Sequence, residues 1–303
     1  MRLADPKSRA AFISSPISQA DATSLSSLQV AHYRIDDIIE RYDDLINDPA
    51  CYLSGIGLAD RVALYHPGSF EELLFPDSAE DSEFNFCQRQ RATFVRYLEF
   101  LLAKYCRLID DPDQQRKWSN KLVQLSVFKA CGISVPNTTS RSKMDHRADY
   151  VMKVISESRA ISPDTSFYCQ PFNQDIFSGG GGTSTVPFMV QERLDFAEEY
   201  RTYMIGNDFV CISLARPLGV QAIDVHEFLD EIEATPHVPS SVELRIFEKL
   251  QEITGLKIFS IDYCIKDGAP CILEINPLTS WSWLPEPLQT QVTEKYSKLL
   301  GEC

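Results

Sequence analysis

Two neighbouring segments near the C-terminus set acidic side chains into an alternating apolar pattern, and this pattern constrains the fold most. Residues 259–263 read Phe-Ser-Ile-Asp-Tyr, and residues 272–277 read Ile-Leu-Glu-Ile-Asn-Pro. Such alternation predicts two β-strands, because successive side chains of a strand point to opposite faces. A loop centred on Gly268 joins the strands as a hairpin and places Asp262 opposite Glu274. The sequence therefore predicts two carboxylates side by side on one sheet face.

This acidic face has two interpretations. Asp262, Glu274 and Asn276 supply carboxylate and amide oxygens, the ligands that suit a Mg²⁺ ion holding nucleotide phosphates. An acidic hairpin face is also typical of ordinary solvated surface. Asn276 is followed by Pro277 at the end of an otherwise apolar strand, and this ending favours the metal site.

A second hairpin, upstream of the first, carries basic side chains. With a two-residue turn at Asn207 and Asp208, Arg201 and Arg216 become diagonal neighbours on one face, close enough to bind a common anion. A cross-strand ion pair between Glu199 and Arg216 accounts for the same residues equally well.

Two lysines and a glycine run complete the set of candidate residues. Lys121 lies near the start of a predicted helix, where lysines are usually solvated. Lys153 lies in an apolar strand, a rarer position that is typical of functional lysines. Four consecutive glycines at 179–182 predict either a flexible linker or a lid whose amides cover phosphates. The run is not a Walker loop, because no Gly-Lys-Ser/Thr follows it.

Composition excludes several classes of protein. With 29 Lys and Arg against 43 Asp and Glu, the net charge is −14, which argues against nucleic acid or an anionic membrane as a partner. A length of 303 residues predicts about two domains. Nine cysteines without a Cys-x-x-Cys pair predict free thiols in a reducing cytoplasm. We expect no signal peptide and no segment that spans a bilayer.

Taken together, the motifs follow a particular order along the chain. The order is Asn120-Lys121, Gln124-Leu125, residues 132–138, Lys153, the glycine run, residues 190–192, residues 199–201, Arg216, Asp262 and residues 273–277. This order resembles the ATP-grasp ligases. Residues 276–283, Asn-Pro-Leu-Thr-Ser-Trp-Ser-Trp, are similar to the Asn-Pro-x-Gly-x-Trp-x-Trp ending of microviridin-type (graspetide) peptide ligases, whose branch also holds ribosomal-protein glutamate ligases.

The resemblance implies an α/β (α+β) protein with the ATP-grasp fold, in which two α+β lobes sandwich ATP. It implies three domains: a small N-terminal α/β domain at 1–110, a nucleotide-binding lobe at 111–190, and a C-terminal lobe at 191–303 that carries the Mg²⁺-binding hairpin.

The resemblance also implies a role for each candidate residue. The ATP-binding set is Lys121, Lys153, Gly180, Gly181, Gln191, Glu192, Arg193, Leu194 and Glu199. The lysines and glycines would meet the phosphates, the four residues from Gln191 the adenine, and Glu199 the ribose. Asp262, Glu274 and Asn276 would hold Mg²⁺. Arg201 and Arg216 would face the transferring phosphoryl group and the substrate carboxylate.

The function implied is an ATP-dependent carboxylate–amine or carboxylate–hydroxyl ligase. A carboxylate attacks the γ-phosphate to give an acyl phosphate, and an amine or hydroxyl then displaces phosphate to give an amide or ester. The expected substrate is a peptide or protein, and a homodimer is the expected assembly. A ligase of a small metabolite carboxylate and a non-catalytic ATP- or peptide-binding module remain as alternatives.

Overall fold

The computed structural model describes most, but not all, of the chain. The described residues are 10–14, 31–58, 62–66, 81–139, 150–153, 155, 160–162, 165–166, 169–171, 189–194, 198–215, 233–277 and 279–302. Gly180, Gly181 and Arg216, three of the predicted site residues, lie outside this part of the chain.

Strands and helices alternate along the described chain, and its longest strands lie in the C-terminal half. The strands are β1 Ala10–Ser14, β2 Ala31–Arg34, β3 Val62–His66, β4 Arg107–Leu108, β5 Thr138–Thr139, β6 Tyr150–Lys153, β7 Ala160–Ser162, β8 Thr165–Ser166, β9 Gln170–Pro171, β10 Met189–Glu192, β11 Glu198–Ile205, β12 Asp208–Ala215, β13 Glu233–Pro236, β14 Ile258–Lys266 and β15 Ala269–Asn276. The helices are α1 Ile35–Ile39, α2 Tyr42–Asn47, α3 Pro49–Gly55, α4 Asp81–Tyr105, α5 Pro112–Ser119, α6 Lys121–Ala130, α7 Ser241–Thr254 and α8 Glu286–Glu302.

The N-terminal strands form a small parallel sheet in the order β2-β1-β3-β4. Helix α4 covers it, and buried residues such as Ile13, Leu53, Leu98 and Leu102 form one core cluster. Parallel strands need crossover connections, and helices α1 to α3 lie between β2 and β3 while α4 lies between β3 and β4. No helix of the described residues is long and apolar enough to cross a membrane, and every cysteine among them is a free thiol.

A five-stranded antiparallel sheet, in the order β13-β12-β11-β14-β15, forms the centre of the C-terminal half. One face packs on α8 through Tyr203, Ile212 and Val292. The other face packs on α5, α6 and α7 through Trp118, Phe128 and Phe247. Both faces are buried along most of their length, so a polar side chain on this sheet needs a specific partner.

A smaller antiparallel sheet, β5-β10-β6-β9, lies beside the large one, and β7 pairs with β8 alone. Lys266, at the end of β14, donates to Glu192 at the end of β10 over 2.7 Å. Asn137 donates to the same carboxylate over 2.9 Å. These contacts join the ends of the two sheets.

The side chain of Gln124 attaches helix α6 to the outer edge of β15. The Gln124 amide donates to the carbonyl of Ile275, and its oxygen accepts from the N–H of Ile275, both over 2.9 Å. Gln124 thus bonds the β15 backbone as the next strand of a sheet would. The side chain is 3% exposed, so water cannot readily replace either bond.

Replacing Gln124 tests this attachment. Gln124→Ala should lower the free energy of unfolding by about 2–4 kcal/mol, because it leaves a buried N–H and a buried C=O without partners. Urea unfolding measures the change. Ser126→Ala on the exposed side of the same helix is the control, and we expect it to change stability by less than about 0.5 kcal/mol. Equal effects of the two substitutions would contradict the assigned role.

Asp110 links the end of the parallel sheet to the start of β14. Its carboxylate accepts from the backbone N–H of Lys257 over 2.7 Å and from that of Ile258 over 3.0 Å. Burial raises the pKa of the Asp110 carboxyl to about 6, although the two N–H groups oppose the rise. The folded chain therefore holds a proton on Asp110 at pH values where the unfolded chain has lost it.

This pKa predicts a pH-dependent contribution to stability. The folded-state pKa of Asp110 is raised, so its contribution is greatest below about pH 4 and falls by about 2–3 kcal/mol as the pH rises through about 6. The neutral variant Asp110→Asn lacks this titration. Urea unfolding of both proteins across that range should show the stability of wild type relative to the variant decreasing with pH. A constant difference would show that Asp110 does not titrate in this range.

Candidate functional site

Three neighbouring strands of the large sheet bring charged side chains into one row. In the strand register, Arg201 of β11 pairs directly with Asp262 of β14, and Asp262 pairs with Glu274 of β15. Lys121, the first residue of α6, reaches the far end of this row. The order across the sheet is cation, carboxylate, carboxylate, cation. We call these four residues the charged row.

Each carboxylate of the charged row has its own cation. Arg201 binds Asp262 with two parallel hydrogen bonds, Nε to Oδ1 over 2.5 Å and Nη2 to Oδ2 over 2.7 Å. Lys121 Nζ lies 3.0 Å from Glu274 Oε2. All four residues are at most 7% exposed. Burial alone would lower the pKa of the Arg201 guanidinium, but the Asp262 carboxylate raises it above its usual range.

A β-bulge sets the register that pairs Asp262 with Glu274. The turn consists of two residues, Asp267 (φ 53°) and Gly268 (φ 78°), rather than a loop centred on Gly268. Positive φ at both central residues is the requirement of a type I′ hairpin turn. This turn alone would place Asp262 opposite Leu273. The register shifts by one residue between Asp262 and Tyr263, so the predicted pair forms by a different route from the one predicted.

The second hairpin corrects a prediction. Its turn lies at Gly206 and Asn207, one residue before the predicted position, because Gly206 adopts φ 62°, which glycine tolerates and other residues rarely adopt. Arg201 therefore pairs with Ile212 on β12, rather than with residue 214. The predicted diagonal contact between Arg201 and Arg216 depended on the other register, and Arg216 lies outside the described residues.

Three further polar or aromatic side chains surround the charged row. Asn276 Nδ2 donates to Asp262 Oδ2 over 2.9 Å, which leaves the amide oxygen of Asn276 as its coordinating group. The Trp283 ring lies over the Arg201 guanidinium, with 5.4 Å between Cζ and the ring centroid. Ser260, opposite Asn276 in the register, is fully buried, and its hydroxyl has no hydrogen-bond partner.

The donor set fits Mg²⁺. Asp262, Glu274 and the Asn276 oxygen are hard oxygen ligands on one sheet face, and Mg²⁺ is usually held by one or two carboxylates plus waters and phosphates. The buried, unpartnered hydroxyl of Ser260 is a further polar group beside them. The described residues contain no group of three His, Cys, Asp or Glu side chains placed to hold a metal. A cation here would therefore rely on the amide and on the ligand's own oxygens.

The predicted adenine hinge begins on β10, an inner strand of the smaller sheet that pairs with β5 and β6, and continues two residues beyond it. Gln191 is 1% exposed and donates to the Thr138 hydroxyl over 3.2 Å. Glu192 makes the contacts with Lys266 and Asn137 described above, and these lower the pKa of Glu192 although burial opposes them. Arg193 is exposed and Leu194 half-buried just beyond the strand.

Lys153 precedes the hinge in the chain, and Glu199 follows it. Lys153, half-buried at the end of β6, pairs through its backbone with Met189 of β10. Glu199 is 8% exposed and lies two residues before Arg201 on β11, so both side chains occupy the same face. Of the predicted ATP-binding residues, the structure brings Lys121 directly into the charged row.

Sequence reasoning missed three side chains of this region. Gln124 was named as part of the motif order but was given no role. Its contact with Ile275 depends on tertiary packing. Ser260 belongs to the alternating segment 259–263. The absence of a hydrogen-bond partner for its hydroxyl can be seen only in the folded structure. Trp281 packs against Tyr296, whereas Trp283 contacts Arg201. The two tryptophans lie in a segment without regular secondary structure, so their spacing does not predict which of them contacts Arg201.

Comparisons with known proteins identify the fold. No protein-family model and no curated protein sequence matches the chain. Among solved structures, macrocyclase MdnC of Microcystis aeruginosa MRC, bound with precursor peptide MdnA, has a TM-score of 0.70 at 13% identity, covering 97% of this chain and 100% of that one. ATP-grasp ligase PsnB, complexed with minimal precursor, Mg and ADP, has a TM-score of 0.65 at 13% identity over 99% of both chains. The chain has the ATP-grasp fold.

The structural matches also include a ligase whose substrate is an amino acid. D-alanine–D-alanine ligase from Bacillus anthracis, complexed with ATP, has a TM-score of 0.57 at 14% identity, covering 96% of this chain and 94% of that one. The predicted fold class is therefore confirmed. The assignment of each site residue stays a prediction.

Substitution of Arg201 tests the charge compensation within this ATP-grasp fold. Arg201→Met should destabilise the chain by about 3–5 kcal/mol, because it leaves the Asp262 charge buried without its cation. Adding Asp262→Asn removes that charge, so the double variant should recover part of the loss. Urea unfolding of the two single variants and the double variant measures the coupling. Additive losses would show that the pair is not coupled.

Proposed function

We propose that the chain is an ATP-dependent ligase that activates a peptide carboxylate as an acyl phosphate and joins it to an amine or hydroxyl. In the first step a carboxylate oxygen attacks the γ-phosphorus, the bond to the β-phosphate oxygen breaks, and ADP leaves. In the second step the amine or hydroxyl attacks the acyl carbon, inorganic phosphate leaves, and the attacking group loses its proton. The product is an amide or an ester.

The charged row is the observation that carries this proposal. Both substrates of such a reaction are anions, so the protein must offset their mutual repulsion rather than provide a nucleophile. Lys121 and Arg201 place two cations within one row of side chains, and Asp262 and Glu274 hold them there. Buried, preorganised charges of this kind stabilise developing negative charge more than solvated ones do.

Asp262, Glu274 and Asn276 are the residues that would hold Mg²⁺. When bound, Mg²⁺ would supply charge neutralisation at the phosphate oxygens. PsnB, a structural match, was solved with Mg and ADP, which supports this assignment. Lys121 would meet phosphate oxygens, and Arg201, under the Trp283 ring, would orient the substrate carboxylate. Lys153, Gly180, Gly181 and the hinge residues Gln191 to Leu194 would contact the rest of ATP, with Glu199 at the ribose and Arg216 beside Arg201.

A peptide is the substrate class that the comparisons support best. MdnC is a macrocyclase bound with a precursor peptide, and PsnB was solved with a minimal precursor. D-alanine–D-alanine ligase has a lower TM-score to this chain than MdnC does. Trp283 adds an aromatic surface beside the proposed carboxylate position, which suits a peptide side chain.

Release of ADP tests the proposed function. The chain is incubated with ATP, Mg²⁺, and a panel of acidic peptides and of free amino acids, and ADP is measured with each. We expect ADP release that depends on an acidic peptide and that stops when its carboxylates are amidated. ADP release only with free amino acids would favour the metabolite ligase. If no carboxylate of the panel stimulates ADP release, the ligase activity is refuted.

Substitution of Glu274 tests the proposed metal ligand. Glu274→Gln keeps a hydrogen-bond acceptor for Lys121 but removes the charge, so it should lower ADP release by at least about a hundredfold, because charge stabilisation by a bound metal is worth several kcal/mol. The thermal midpoint reports on folding. Glu248→Gln, an exposed position on α7, is the matched control and should retain activity. Full activity in Glu274→Gln would exclude Glu274 as a ligand.

A further inference from the structure

A second cluster of charged side chains surrounds a cavity at the far end of β11. Lys257, Lys295, Lys298 and Asp208 line a cavity of about 280 Å³. The remaining wall consists of Ile205, Gly206, Asn207, Gln251 and Leu299. We call this cavity the lysine pocket. It lies five residues along β11 from Arg201, or about 17 Å at the rise of an extended strand.

Three separate elements hold the lysine pocket in shape. The hairpin turn at Gly206 packs on α8 so closely that a Cβ at Gly206 would lie 3.0 Å from Leu299 Cδ1. The side chain of Gln251 from α7 donates to the Gly206 carbonyl over 2.5 Å, and the Gly206 N–H donates to the Lys257 carbonyl over 2.7 Å. The pocket is therefore a built feature of the fold, and its charged groups have fixed neighbours.

The lysine pocket carries positive charge on an acidic protein. Asp208 lies 2.9 Å from Lys298 Nζ and 3.5 Å from Lys295 Nζ, so one carboxylate orders two lysines. Three lysines against one aspartate leave a net charge of +2 at the wall, whereas the whole chain carries −14. Asp110 is not among the lining residues, but its carboxylate accepts from the backbone N–H groups of Lys257 and Ile258 and interacts with the charge of Lys257. Lys295 and Lys298 are therefore the lysines that carry the excess positive charge of the pocket.

We propose that the lysine pocket is a docking site for a carboxylate-rich segment of the peptide substrate. This proposal rests on the proposed function, which requires a peptide that carries carboxylates. The acidic surface of the chain repels such a peptide, so recognition needs a local region of opposite charge. The straight line of about 17 Å along β11 runs beneath α8, because Tyr203 and Ile205 are buried against that helix. A peptide that reaches both places must pass around α8, so it needs more than the five or six extended residues that a straight line would take. One acidic segment can then dock in the pocket while a carboxylate further along the peptide lies at the charged row.

Direct binding tests the docking site without requiring turnover. The probe is fluorescein-labelled hexaglutamate, with labelled hexaglutamine as the uncharged control, and fluorescence anisotropy is measured at low and constant ionic strength without ATP. Lys295→Gln/Lys298→Gln should bind hexaglutamate about tenfold more weakly than wild type, since each exposed ion pair contributes a factor of a few. Lys104→Gln/Lys129→Gln removes the same charge at exposed positions elsewhere and should bind as wild type does. Lys295→Arg/Lys298→Arg retains the charge and should keep most of the affinity.

The possible outcomes separate this proposal from the proposed function. Equal weakening in both glutamine double variants would show that only net charge matters and would overturn the docking site. Displacement of hexaglutamate by an equivalent concentration of inorganic phosphate would instead assign the pocket to small anions, and would overturn it too. Specific hexaglutamate binding in a chain that releases no ADP would support the docking site while refuting the ligase. ADP release that is unaffected by Lys295→Gln/Lys298→Gln at subsaturating acidic peptide would support the ligase and exclude this pocket.

Discussion

Two buried carboxylates on adjacent strands repel each other, and the centre of this molecule is organised by the way that repulsion is offset. Asp262 and Glu274 form a direct cross-strand pair, yet each has a cation within hydrogen-bond reach. The cations come from opposite sides, Arg201 from the next strand and Lys121 from the first turn of α6. The pair thus requires β11, β14, β15 and α6 to meet in one arrangement, because a buried carboxylate that loses its cation is strongly destabilising.

The sequence predicts the charged row in part. Alternation identified both hairpins, and residue types identified Asp262, Glu274 and Asn276 as one polar group. Arg201 was assigned to a separate group with Arg216 on the other hairpin, so its pairing with Asp262 was not predicted. The bulge beside Tyr263 was not predictable from alternation. The extra residue of a bulge is an ordinary residue of the strand, so the sequence does not mark it. The position of the second turn was missed by one residue, since both Gly206-Asn207 and Asn207-Asp208 are good turn pairs.

Packing decides what local patterns leave open. Helix α5 at Pro112–Ser119 is mostly polar, so hydrophobic periodicity gave no signal for it, although Asp111 accepts from the Asp113 N–H at its start. Trp118 from this short helix is nevertheless buried, and it donates to the Thr254 carbonyl at the end of α7. The pairing of Lys121 with Glu274 likewise joins residues 153 positions apart, which no local pattern reports. Long-range contacts of this type determine which of the candidate residues lie together in the folded chain.

The attachment of Gln124 to β15 limits how a partner chain can approach the large sheet. Strand β15 is the last strand of that sheet, and an open edge of this kind can recruit another chain by backbone pairing. The Ile275 backbone is already bonded to Gln124, and the Ile272 N–H donates to the Ser134 carbonyl over 2.8 Å. Recognition by strand addition is therefore blocked along this edge. A partner chain that contacts this edge can do so only through side chains, whose charge and shape differ from one sequence to the next.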